Sequence, residues 1–215
     1  MSLLNFDFLL LGHPRSGTGF SSNTMKYLGY DVGHETIGCD GVSCWTFVTA
    51  NDNYIVGRPK TSSEIKISGI TRQDLTYKTL IHIVRDPFLV LKSMFNTVEE
   101  NEPAFKFLEK HTNVDLTFTK IEKIIWFIIE WNRMIKLLNP NFLFRVEDDI
   151  DNLENFLTSN GYTIHKKRTA PPRNYNTRKN SNKPFSFSSN NKNLLSRLAD
   201  HCLEYGYKGD TSCLD

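Results

Sequence analysis

The stretch that most limits the architecture open to this chain runs from Phe6 to Leu28. Phe6–Leu11 is a short apolar run that stops at Gly12 and passes into His13-Pro14-Arg15-Ser16-Gly17-Thr18-Gly19. A run this short, without polar alternation, fits a strand buried on both faces, as in a parallel sheet. Thr18–Leu28 then reads as a helix, with Phe20, Met25 and Leu28 on its inner face and Gly29 just past its end. A glycine-rich loop between a buried strand and a helix is an anion site in outline. Gly17 and Gly19 let backbone N–H groups approach a ligand closely, and the helix start adds its positive dipole end. Arg15, Ser16 and Thr18 add side-chain donors.

The residues at the end of the loop narrow the kind of anion. Gly12-x4-Gly17 matches the opening of a nucleoside-triphosphatase P-loop, but Thr18-Gly19 stands where that loop needs Lys-Ser/Thr. The lysine for the β/γ-phosphates and the hydroxyl for Mg²⁺ are thus away from their usual places. A phosphate-like group other than a magnesium triphosphate is the expected ligand.

Downstream, strands and helices alternate. Asp31–Glu35 reads as a short second strand, Ser43–Ala50 as a short helix and Thr79–Val84 as the clearest strand. Asp86 is a candidate N-cap with Pro87 at the first helical position, opening a helix over Phe88–Thr97. Leu116–Leu138 carries a broad isoleucine-rich face, Asn141–Val146 reads as a strand, and Asp149–Ser159 and Asn191–Tyr205 as helices. The order predicts an α/β fold: an open parallel β-sheet flanked by helices, of the P-loop-containing nucleotide-binding type. The 215 residues fit one domain, residues 1–215, and the 39% apolar fraction is enough for a sizeable core, which excludes a wholly disordered chain.

Arg85 forms a second candidate anion site. Ile81-His82-Ile83-Val84-Arg85-Asp86-Pro87 puts it at the tip of a central strand, the edge where open α/β sheets bind ligands. Ser93 lies eight residues on, about two turns into the next helix, and can converge with Arg85 on one phosphate. His82, inside the strand, reads as a core histidine. Charge is unevenly spread: from Asn155 to Ala199 there is no Asp or Glu, although the net charge is only +2. Residues 165–190 of this basic stretch form a candidate lid. Cys39 and Cys44 lack partners at zinc spacing, so no metal site is expected.

Together the two sites resemble the PAPS-dependent sulfotransferase family. Pro14-Arg15-Ser16-Gly17-Thr18 is similar to the 5′-phosphosulfate loop in its Pro-Arg-Ser-Gly-Thr form, and Arg85-x7-Ser93 to the 3′-phosphate site. The resemblance is best over Phe6–Met94. Phe144-Arg145-Val146-Glu147-Asp148 looks like the family's late strand-to-helix junction and Asn176-Thr177-Arg178-Lys179 like its late basic loop. The resemblance implies transfer of a sulfuryl group from 3′-phosphoadenosine 5′-phosphosulfate (PAPS) to a hydroxyl or amine acceptor by in-line displacement, leaving adenosine 3′,5′-bisphosphate. It implies PAPS contacts at Arg15, Ser16, Gly17, Thr18, Gly19, Arg85, Ser93, Arg178 and Lys179. Arg15 would stabilise the leaving phosphate, and Glu35, twenty residues after Arg15, would be the general base, with His34 its rival.

Thr97 and Val146 depart from the pattern: some members carry an Arg and an adenine-contacting Tyr there. Two other readings stay open, a divergent P-loop nucleotide or nucleoside kinase and a non-catalytic nucleic-acid binder using the basic segment. Aromatics are sparse in that segment, so nucleic acid is not the expected partner. The acceptor is a small molecule, glycan or peptide of open identity. No apolar run reaches the roughly 20 residues of a membrane span, and Met1–Leu11 lacks a basic n-region, so the sequence reads as a cytoplasmic protein with no membrane span.

Overall fold

The computed structural model of the chain describes residues 3–53, 65–148, 150–166, 169–172 and 191–209. Strand β1, Leu4–Gly12, forms the middle of a five-stranded sheet. Its partners are β4, Gly41–Cys44, on one side and β6, Leu75–Val84, on the other, both parallel to it. β2, Val32–His34, pairs with β4, and β7, Phe142–Arg145, with β6, so the order is β2-β4-β1-β6-β7 throughout in parallel. Two short strands, β3 (Thr36–Ile37) and β5 (Ile65–Lys66), form a separate antiparallel pair.

Phe8, Leu9, Leu10 and Leu11 are wholly buried because β1 is covered on both faces. Phe8 and Leu10 pack with Phe20, Met25 and Leu28 of α1, Thr18–Leu28, and with Leu153 and Leu157 of α5, Ile150–Ser159. Leu9 and Leu11 pack on the other face. There the cover comes from α2 (Pro87–Thr97), α3 (Pro103–Thr112), α4 (Lys120–Lys136) and α6 (Lys192–Glu204). The expected open parallel α/β sheet is therefore the observed one. Among the described residues no helix is long and apolar enough to cross a membrane.

Among the departures from the sequence reading, three have a plain physical reason. Ser43–Ala50 is not a helix: Ser43 and Cys44 complete β4 beside Leu10 and Leu11, and only Thr46–Val48 makes a 3-10 turn. The α4 helix starts at Lys120 rather than Leu116. Thr119 and Glu122 form a capping box, in which Glu122 Oε2 accepts from the Thr119 N–H at 2.9 Å and thereby fixes the first turn. The third is α3, which lies between the expected elements and buries Phe105 and Leu108 from one face. Asp86 and Pro87 take the expected roles, with Asp86 Oδ1 accepting from the Phe88 N–H at 2.8 Å.

Candidate functional site

The loop after β1 owes its shape to two left-handed residues. Arg15 has φ +72° and Gly17, the N-cap of α1, has φ +98°. Alternation of this kind curls successive N–H groups toward one point and makes a concave anion seat. Only glycine suits position 17: besides its φ, an added Cβ would lie 2.8 Å from Val146 Cγ1. Arg15 holds a left-handed conformation without that freedom, at a cost on the order of 1 kcal/mol. His13 is buried, with Nδ1 donating to Pro14 O at 2.6 Å, and its burial lowers its pKa to about 3. It stays neutral and contributes shape rather than charge.

Arg15 and Arg85 both line one cavity of about 440 Å³. Gly17, Thr18, Gly19, His34 and Glu35 line it as well. The two expected anion corners are joined directly: Arg15 Nε donates to Ser93 Oγ at 3.0 Å, and Arg85 Nη1 donates to Arg15 O at 3.3 Å. Ser16 and Ser93, also expected at the site, are not among the residues that line the cavity. Because the Ser93 oxygen accepts from Arg15, its own O–H proton remains available to a further acceptor. Among the described residues the Ser16 Oγ, packed against Gly12, is buried without a hydrogen-bond partner.

His34 and Glu35 lie at the tip of β2. Glu35 N donates to Ser43 O at 3.0 Å, and Glu35 adopts φ +54°, which turns its side chain into the cavity region. Its Oε1 accepts from Trp45 Nε1 at 3.2 Å. That indole is itself fixed, since Trp131 Nε1 donates to Trp45 O at 3.0 Å and Phe107 meets its ring edge-on at 5.6 Å. His34 Nε2 is 3.2 Å from Thr18 Oγ1, so the ring is tied to the first turn of α1. Ser43 Oγ donates to Thr18 O at 2.8 Å and braces that turn from below.

His82 is the buried core histidine expected. It donates from Nε2 to Asn132 Oδ1 at 2.9 Å, and Asn132 Nδ2 in turn donates to His201 Nε2 at 3.2 Å. Of the departures, Thr97 Oγ1 donates to Ser93 O at 2.6 Å, and Val146 lines the cavity against Gly17. The described flanks of the basic stretch are engaged in ion pairs: Lys166 with Glu154 at 2.8 Å, and Arg197 with Glu130 at 2.7 Å while stacked over Trp126. Arg178 and Lys179, with the centre of the candidate lid, lie outside the described residues. The sequence reading missed the apolar wall made by Leu89, Val98 and Ala104, and missed Tyr207, whose hydroxyl donates to Glu147 Oε2 at 2.7 Å. A tyrosine just past a helix-ending glycine carries no local sign of such a contact.

No protein-family model matches the sequence, and no curated protein matches it. Among solved structures, the chain is similar to the mouse sulfotransferase SULT7A1 complexed with PAP, at 14% identity and a TM-score of 0.37. The likeness covers 74% of this chain, which spans 59% of that chain's length.

Proposed function

We propose that this chain is a PAPS-dependent sulfotransferase acting on a hydroxyl or amine acceptor. The observation that carries the reading is the meeting of Arg15 and Arg85, 70 residues apart in sequence, at one cavity that Glu35, Glu147 and His34 also line. The Pro-Arg-Ser-Gly-Thr loop and the Arg-x7-Ser spacing supply the chemical identity of the two corners. The donor, when bound, supplies a sulfuryl group already activated by its mixed anhydride.

The chain's own residues have five tasks. Gly17, Thr18 and Gly19, with Ser16 behind them, would hold the 5′ end on backbone N–H groups and hydroxyls. Arg85 would hold the 3′-phosphate, and Ser93 would offer its O–H proton beside it. Arg15, steadied through Nε by Ser93, would stabilise the charge that grows on the departing phosphate oxygens. Glu35, with one oxygen held by Trp45, would take the acceptor proton on the other, and His34 is the alternative base. Trp45, Leu89, Val98 and Ala104 give the cavity an apolar wall for the acceptor and exclude water from its side. A small molecule, glycan or peptide side chain can present the hydroxyl. Arg178 and Lys179 remain proposed donor contacts on the strength of the sequence resemblance.

The test is ligand preference followed by transfer. Purified protein should be stabilised against heat by adenosine 3′,5′-bisphosphate more than by ATP with Mg²⁺, and should move label from ³⁵S-labelled donor to members of an acceptor panel. Preference for ATP–Mg²⁺ would favour a kinase. Binding to nucleic acid that falls steeply with salt and survives Arg15→Ala would favour the non-catalytic reading.

A further inference from the structure

The Glu147 carboxylate sits where three distant segments meet. Its Oε1 accepts from the Asp86 N–H at 3.0 Å and its Oε2 from the Tyr207 hydroxyl at 2.7 Å. Oε1 also stands 4.0 Å from Arg85 Nε, an outer-limit ion pair too long for a hydrogen bond. Glu147 and Arg85 both line the cavity.

Tyr207 is brought there by the turn that ends α6. Gly206 has φ +74°, and a Cβ on it would lie 2.7 Å from Arg145 Nη1. Gly206 N donates to Leu203 O at 3.0 Å and Tyr207 N to Cys202 O at 2.8 Å, so the chain wraps back over the helix end. The Tyr207 ring then lies against the Arg145 guanidinium, 4.5 Å from its centroid, and Arg145 Nε is 3.3 Å from Asp148 Oδ1. Burial and the facing carboxylate push the Tyr207 phenol far above its ordinary pKa, so it remains a donor at any working pH.

A glutamate beside an arginine that serves an anion is a competitor for it. A carboxylate free to turn pairs with a guanidinium through two parallel hydrogen bonds and neutralises it. Here each carboxylate oxygen already has a donor, and neither donor is Arg85.

We propose that Tyr207 is a positioning residue whose hydroxyl holds the Glu147 carboxylate off Arg85 and so reserves that guanidinium for an anionic ligand group. The inference rests on the reading of Arg85 as the 3′-phosphate contact. Tyr207 acts through Glu147 and Arg85 and has no part in the transfer itself.

The experiment titrates wild-type protein, Tyr207→Phe, Glu147→Gln and the double variant with adenosine 3′,5′-bisphosphate and adenosine 5′-monophosphate, recording melting temperatures alongside. Tyr207→Phe should weaken bisphosphate binding about threefold to tenfold, the span one hydrogen bond controls, and leave the monophosphate unchanged. The double variant should recover the lost affinity, because an uncharged amide does not compete for Arg85. Glu147→Gln alone should bind the bisphosphate at least as tightly as wild type, a result that stands even if Tyr207→Phe fails to fold. Equal loss for both nucleotides, no loss for either, no recovery in the double variant, or a fall in Glu147→Gln would each overturn the proposal. Wild-type protein that binds both nucleotides equally would instead defeat the 3′-phosphate reading of Arg85, and the inference with it.

Discussion

The two corners of the cavity are built in opposite ways. The first, around Arg15 and Gly17, is a single loop between adjoining elements, β1 and α1, and its curvature comes from the φ values of its own residues. The second, around Arg85, is assembled from separate pieces of chain: the tip of β6, the start of α2, Glu147 after β7 and Tyr207 after α6. A local corner depends on backbone conformation, and an assembled one on side-chain contacts over long sequence distances. The first should therefore respond to glycine substitution, and the second to loss of single charged or hydroxyl groups.

The strongest test keeps both corners and removes the chemistry between them. Glu35→Gln should lower turnover about 10²- to 10⁴-fold, the span of a general base, with bisphosphate affinity retained. Full activity would move the role to His34 or to the acceptor. Next, Arg85→Ala should weaken the bisphosphate about 10- to 100-fold, as expected for loss of hydrogen bonds to a charged group, with a much smaller effect on adenosine 5′-monophosphate. An equal effect on both nucleotides in isothermal titration would show that the corners are not separate.

Acid should expose a further difference. Burial lowers the pKa of both His82 and His201 to about 4 from an ordinary 6.5. His201 Nε2 must be unprotonated to accept from Asn132. The unfolded chain therefore binds more protons than the folded one, and stability falls as pH drops from about 6.5 toward 4. Each ring should cost about 2 kcal/mol between pH 7 and pH 5. Thermal melts across that range should show the loss, and His201→Gln should remove about half of it. Glu204, which favours the charged form, and Lys136, which opposes it, are the nearby charges acting on both rings. The smallest effect expected is on the first corner. Gly17→Ala, strained at φ +98° and crowded by Val146, should cost about 1–2 kcal/mol and impair binding of both nucleotides alike. Selective loss of the bisphosphate in that variant would contradict the division of labour.

The same contrast explains what could be read from sequence. The β1–loop–α1 unit is legible because strand, glycines and helix follow one another. Arg85 is legible because Asp86-Pro87 marks the strand-to-helix junction beside it. Convergence of Arg15 and Arg85 is only implied by sequence, since it depends on β1 and β6 being neighbours. Ser43 and Cys44 misled because a four-residue strand buried on both faces has no alternation to distinguish it from a helical turn. The Trp45 contact to Glu35 spans ten residues and the Tyr207 contact to Glu147 spans 60, and neither leaves a local pattern.

The central place of β1 has a consequence for how the molecule comes into being. Its partner on one side begins at Gly41 and on the other at Leu75, with Leu4 registered against Leu75. Closing that pairing brings together ends separated by most of the first third of the chain, a slow, non-local event in folding. The loop after β1 thus gains its second flank only after β6 has docked, and a fragment ending before residue 75 would carry every residue of the loop yet lack that flank.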